Sequence, residues 1–179
     1  MTGLLYTVVT AAGPTSRVAT ALLPAAMDRG WDVHCLATRR AVEVYPEAIA
    51  AIEEVLGRPV RTDFHTSVGY SLPDPDALIV APATYNTINK WAAGIADTYV
   101  LTRLAEQTGR AIPIAVAPYV NANFAANSVY RRSLDALREV GIDVVDGPLE
   151  PHAPGGGDAP LDAFPWESLL DSVAAERGS

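Results

Sequence analysis

Three side-chain hydrogen-bonding groups, Thr84, Asn86 and Thr87, fall within one short stretch, Ala81-Pro82-Ala83-Thr84-Tyr85-Asn86-Thr87, directly after an apolar run. Capping a helix N-terminus takes one such residue, not three. The surplus of donors points to a ligand. A second polar cluster, Pro118-Tyr119-Val120-Asn121-Ala122-Asn123-Phe124, follows another apolar run. A side-chain amide both donates and accepts, which suits a carboxylate or a second amide; loop asparagines are also ordinary turn residues. A third loop, Ala11-Ala12-Gly13-Pro14-Thr15-Ser16, is built of small residues. Such a loop lets the backbone approach a phosphate, and the helix after it offers free N–H groups and a positive dipole end. The same residues also read as a tight turn with Ser16 as helix cap. The loop is not GxGxxG, so the dinucleotide fingerprint is absent. Thr38 closes a fourth apolar run, where its hydroxyl can donate to a phosphate or cap the next helix.

These loops need a scaffold that brings them together. Leu4–Val9, Asp32–Ala37, Ala77–Ala81 and Ile112–Ala117 are short, apolar and mostly β-branched, and read as buried strands. A short strand near Val60 and a last one beginning at Val144 and Val145 complete the set. Between them, helical spacing covers Arg17–Asp28, Ala41–Tyr45, Ala48–Leu56, Thr84–Gly94, Asp97–Gln107 and Ser128–Val140, with Pro46 splitting one pair and Gly30 and Gly141 as stops. Thr62–Pro75 lacks periodicity and reads as a loop. Strands alternating with helices predict an α/β, Rossmann-like three-layer sandwich: a parallel sheet with helices on both faces. Its ligand crevice lies at the carboxyl ends of the strands, where strand order reverses. All four polar loops belong to that edge. Ile88, Trp91, Ala92 and Ile95 share one helical face, which suits a core or an interface equally. The chain reads as a single domain over residues 1–179, with a Pro/Gly-rich flexible flap at 147–165 and a C-terminal helix at 166–177.

Composition excludes several partners. The formal net charge is −8, which repels phosphate backbones and anionic membranes, so neither nucleic acid nor membrane is expected. An anionic ligand must then be held by local dipoles and backbone N–H groups. The single cysteine, Cys35, forms no intramolecular disulfide and fits a reducing cytoplasm. The opening MTGLLYTVVT has no basic region and reads as a first strand, not a signal peptide. No apolar run reaches the ~18 residues of a membrane span.

The stretch PATYNTINKWAAGIADT resembles the PASANT motif of the homo-oligomeric flavin-containing cysteine decarboxylases, and PYVNANFA resembles that family's PxMNxxMW substrate clamp. The resemblance extends over about residues 4–146. It implies FMN held by Ala11, Ala12, Gly13, Ser16, Thr38, Pro82, Ala83, Thr84, Tyr85, Asn86, Thr87 and Tyr119. It places Asn86 near the flavin ring and Asn121 on the substrate carboxylate, and it makes His65, the histidine nearest the family's position at Val68, the catalytic base. A loop histidine also reads as a solvated polar residue. His34 lies inside a strand and reads as structural, while His152 sits in the flap and reaches the site on closure.

The implied substrate is a small molecule or peptide of cysteine type. Its thiol is oxidised to a thioaldehyde, which loses CO2 to give an enethiol; the thiocarbonyl is the electron sink and FMN the acceptor. The implied assembly is a homo-oligomer, a trimer or dodecamer, with FMN between protomers. The clamp departs from the family pattern: Val120 and Phe124 stand for its methionines and Ala125 for its tryptophan, so the pocket differs. The flap PHAPGGGDAP has no cysteine to protonate the intermediate, which implies that the reaction stops at the enethiol. Two other readings stay open: an FMN-binding member without decarboxylase activity, serving as carrier or structural subunit, and a flavin-prenyltransferase-like enzyme.

Overall fold

The alternating apolar runs form a parallel five-stranded sheet in the computed structural model, which describes residues 3–63, 72–146, 150–154 and 161–175. The strands are β1 (Gly3–Val9), β2 (Trp31–Ala37), β3 (Ala77–Ala83), β4 (Ile114–Pro118) and β5 (Asp143–Val144), in the order β2-β1-β3-β4-β5. Every pairing is parallel. The expected α/β three-layer architecture is therefore present.

The strand period of two sorts the core into two layers. Leu5 and Val9 of β1 and Ala77, Ile79 and Ala81 of β3 point to one face. They pack there against Val18, Leu22 and Leu23 of the first helical run, Ile49 and Ile52, and Leu169 and Val173 of the last helix. Tyr6, Val8, Leu78 and Val80 point to the other, against Ile88, Trp91, Leu104, Tyr130 and Leu137. Burial on both faces explains why these strands read as continuous apolar runs.

Helices α1 (Leu23–Asp28), α2 (Arg39–Val44), α3 (Pro46–Leu56), α4 (Tyr85–Ala92), α5 (Tyr99–Gly109), α6 (Ala122–Ala126), α7 (Ser128–Glu139) and α8 (Trp166–Ala175) fill the layers. The first helical run starts earlier than its spacing predicts. A 3-10 turn (Gly13–Arg17) and a π segment (Val18–Leu22) precede α1. Pro14 permits this, because a proline at the start of a helix gives up an N–H that has no partner there anyway. The expected strand near Val60 is reduced to one bridge between Leu36 and Arg61. The stops at Gly30 and Gly141 have φ of 81° and 86°, a left-handed conformation that glycine adopts without a Cβ clash. Trp91 is buried, its Nε1–H donating to Thr108 Oγ1 at 3.0 Å, whereas Ile95 is 43% exposed. The shared face thus divides between core and surface.

Of the expected flap, residues 147–149 and 155–160 lie outside the described residues; 150–154 and 161–165 run beside the carboxyl edge of the sheet. The C-terminal helix is α8, within the expected range. Cys35 is fully buried, and burial pushes its thiol well above the ordinary range, so it packs as a small apolar residue. No described helix is long and apolar enough to cross a membrane.

His34 is structural, as read. Its Nε2 accepts from the Arg58 guanidinium, which also pairs with Asp32 at 2.9 Å. Burial first, then the Arg58 charge, lowers the His34 pKa, and Asp32 opposes this weakly. The unfolded chain therefore takes up a proton at His34 more readily than the folded one. This contribution to stability is complete above the unfolded value of about 6.5 and is lost as pH falls through the folded value. His34→Gln keeps an acceptor for Arg58 but does not titrate. Urea unfolding followed from neutral to mildly acidic pH should show a shallower loss of stability in the variant; parallel curves would contradict this role.

Candidate flavin-binding site

The strand order reverses between β1 and β3: β2 follows β1 outward on one side, and β4 follows β3 outward on the other. Loops leaving such a switch point splay apart and leave a crevice at the carboxyl ends of the strands. A cavity of about 830 Å³ opens there. That is within the ~300–1,000 Å³ of ligand and cofactor clefts. Ala11, Ala12 and Gly13 line it from the loop after β1, and Thr38 from the loop after β2. Thr84, Tyr85, Asn86 and Thr87 line it after β3, and Tyr119 and Asn121 after β4.

Two of these loops are tied together by one buried hydroxyl. Thr10, at the end of β1, donates through Oγ1 to the Pro82 carbonyl at 2.8 Å and accepts from the Thr84 N–H at 3.1 Å. Its own carbonyl accepts from Thr15 Oγ1 at 2.6 Å. The phosphate-type loop and the Thr84–Thr87 loop are thereby held in one frame.

The helix starts around the cavity differ in a way that matters for an anion. Thr38 caps α2, accepting from the Ala41 N–H at 3.2 Å. Thr84 caps α4, accepting from the Thr87 N–H at 3.4 Å, with the Thr87 hydroxyl 3.1 Å away. Asn121 caps α6, its Oδ1 accepting from the Phe124 N–H at 3.0 Å. The first helical run has Ala12 at this position and no side-chain cap. Pro14 has no N–H, and the N–H groups of Ala12 and Thr15 donate to the carbonyls of Thr10 and Ala12 at 2.8 and 3.0 Å, so what this helix start offers the cavity is its positive dipole end and the Gly13 backbone.

Ser16 is thus not the cap; its hydroxyl donates back to the Gly13 carbonyl at 3.0 Å, and the residue is exposed outside the cavity wall. Pro82 and Ala83 are buried in β3 and do not line the cavity, although the Pro82 carbonyl anchors Thr10. β3 also contains a cis Ala81–Pro82 bond. Asn86 lies exposed in the cavity mouth. With Oδ1 of Asn121 committed to its cap, Nδ2 remains as a donor. His65 lies outside the described residues.

Arg40, Val44, Tyr45 and Leu161 escaped sequence reasoning, whereas Phe124 and His152 line the cavity from the clamp and flap segments that the sequence had brought to it. Arg40, one turn into α2, brings a guanidinium to the same cavity, so dipoles and N–H groups are not alone in facing an anion. Val44, Tyr45, Phe124 and Leu161 add apolar wall. Phe124 stacks on Tyr85 with ring centroids 4.5 Å apart. His152 also lines the cavity and stacks on Tyr119 at 5.0 Å. Burial, with a smaller contribution from Tyr45, raises the Tyr119 pKa, keeping its phenol protonated. A Cβ on Gly13 would meet Leu161 Cδ2 at 3.4 Å and the Tyr119 ring at 3.5 Å, so glycine keeps this corner open.

A helix start without a side-chain cap, a guanidinium, hydroxyls, two amides and aromatic walls in one cavity are a set that fits a phosphorylated aromatic cofactor. The model of the Flavoprotein family matches residues 5–177. The chain belongs to this family. The resemblance drawn from the Thr84–Thr87 and Asn121 loops holds at that level. The bifunctional coenzyme A biosynthesis protein CoaBC of Thermococcus kodakarensis is 28% identical over 128 residues, covering 68% of the flavoprotein chain but 31% of CoaBC. The chain thus spans about a third of that relative's length. Two solved structures share the fold nearly end to end. The FMN-dependent cysteine decarboxylase SpaF has a TM-score of 0.73 at 21% identity, covering 99% of this chain and 98% of its own. A PPC decarboxylase mutant complexed with pantothenoylaminoethenethiol has a TM-score of 0.76 at 17% identity, covering 100% of both chains.

Proposed function

We propose that this flavoprotein binds FMN in the switch-point cavity and oxidatively decarboxylates a cysteine-type carboxylate, a peptide ending in cysteine or a phosphopantothenoylcysteine-like molecule, to an enethiol. The observation that carries this reading is the convergence of an uncapped helix N-terminus with Asn86 and Asn121 in one cavity. Membership of the Flavoprotein family and likeness to structures described as FMN-dependent cysteine decarboxylase and PPC decarboxylase support it.

In this reading the backbone N–H groups of Ala11 and Gly13 and the Arg40 guanidinium take the phosphate. The Thr84–Thr87 loop and the tyrosines wall the ring, with Asn86 beside it. Bound there, FMN supplies the two-electron acceptor for the thiol carbon. Asn121 Nδ2 holds the substrate carboxylate and orients the bond that breaks. The aromatic and aliphatic wall keeps water from the reacting carbon. The homo-oligomeric assembly, trimer or dodecamer, is carried over from the same resemblance.

The test is to incubate the flavin-loaded protein with a peptide ending in cysteine, and with the same peptide as its C-terminal amide. The free carboxylate should yield a product lighter by CO2 and two hydrogens, and the amide none. Bound flavin with no CO2 release from any thiol carboxylate would leave a flavin carrier instead. A saturated thioethylamine formed anaerobically in a single turnover would contradict the enethiol.

A further inference from the structure

His152 is a histidine that lines the cavity, and two contacts hold it there. Its backbone forms a parallel bridge with Asn121, the His152 carbonyl accepting from the Ala122 N–H at 2.9 Å. Its ring stacks on Tyr119, centroids 5.0 Å apart and planes 28° from parallel. The backbone bridge to Asn121 and the ring stack on Tyr119 thus seat His152 against the clamp loop, two of whose cavity-lining residues it contacts. Its Nδ1 lies 2.9 Å from the Ala153 carbonyl. A carbonyl only accepts, so in the neutral ring this contact puts the proton on Nδ1 and the lone pair on Nε2. Among the described residues that line the cavity, Arg40 cannot act as a base, and Tyr119, Tyr45 and Tyr85 are phenols. His34 is engaged with Arg58 in β2.

We propose that His152 is the proton carrier of this site. The inference rests on the decarboxylase reading. Nε2 of His152 takes the S–H proton of the substrate as the carbon bonded to that sulfur gives up a hydride, for which bound flavin would be the acceptor, so the C–S single bond becomes the C=S of the thioaldehyde. The C–COO⁻ bond then breaks, its electron pair moves to sulfur through the new C=C bond, and CO2 leaves. The imidazolium returns its proton to the enethiolate sulfur. The substrate is oxidised by two electrons, the flavin is reduced by two, and His152 ends as it began. No further proton donor is required, in keeping with a segment that has no cysteine.

The test compares wild type with His152→Ala and His152→Phe in the flavin-loaded protein, following anaerobic flavin bleaching by a cysteine-ended peptide. A positioned acid–base group contributes about 100- to 10,000-fold. Both variants should fall by that factor while keeping the bound-flavin spectrum, and added imidazole should restore part of the rate in His152→Ala only. Phenylalanine keeps the stack on Tyr119, so a wild-type rate in His152→Phe would reduce His152 to a packing role and overturn the proposal. So would a loss confined to His65→Ala. If wild type itself releases no CO2, the decarboxylase reading fails first, which separates the two results.

Discussion

Asn121→Asp should abolish substrate-dependent bleaching without touching the fold. Aspartate caps a helix N-terminus as well as asparagine, so the bond from the Phe124 N–H survives and α6 keeps its start. What disappears is the Nδ2 donor, and what replaces it is a negative charge facing the substrate carboxylate. The expected loss in kcat/KM is at least about 100-fold, equivalent to about 2.7 kcal/mol. Thermal stability and the bound-flavin spectrum should match wild type. Asn121→Ala is the complementary variant, losing donor and cap together and about 1 kcal/mol of stability. Turnover by Asn121→Asp at the wild-type rate would remove Asn121 from the carboxylate.

The largest structural effect is expected at Thr10. Thr10→Val is nearly isosteric but strands the buried Pro82 carbonyl and takes a partner from the half-buried Thr84 N–H. An unsatisfied buried group costs about 1–3 kcal/mol, so the variant should lose at least about 1 kcal/mol in urea unfolding. It should also bind FMN more weakly, because the bond it breaks holds Ala11–Gly13 against Thr84–Thr87. Thr20→Val, which removes an exposed hydroxyl bonded within its own turn at 3.4 Å, is the control and should be nearly neutral. Equal stability and affinity in Thr10→Val and wild type would mean that the two loops are held by packing alone.

The contrast between Thr10 and Asn121 shows what the sequence made legible. The strands were readable because burial on both faces forces continuous apolar runs, and β1 to β4 lie where Leu4–Val9, Asp32–Ala37, Ala77–Ala81 and Ile112–Ala117 suggested. The Thr84–Thr87 loop was readable because its polar density exceeds what a cap needs. Helix α6 was not, because five residues are too few to show a helical period, and its cap Asn121 looked like a loop residue. Ser16 misled because a hydroxyl near a helix start resembles a cap, whereas Pro14 had already moved the start back to Gly13. Thr10, Arg40 and the seating of His152 depend on contacts between distant segments: Thr10 meets Thr84 74 positions away, and His152 meets Asn121 across β5. Such pairings leave no local pattern.

The central claim is that one FMN sits at the β1/β3 switch and takes two electrons from a cysteine-type carboxylate. Its most direct measurement is an anaerobic titration of the FMN-loaded protein with a cysteine-ended peptide, recording flavin absorbance and CO2 together. The account predicts full bleaching at one peptide per flavin, with one CO2 released for each flavin reduced. A protein that takes up no FMN, or a flavin that bleaches without CO2, would contradict it.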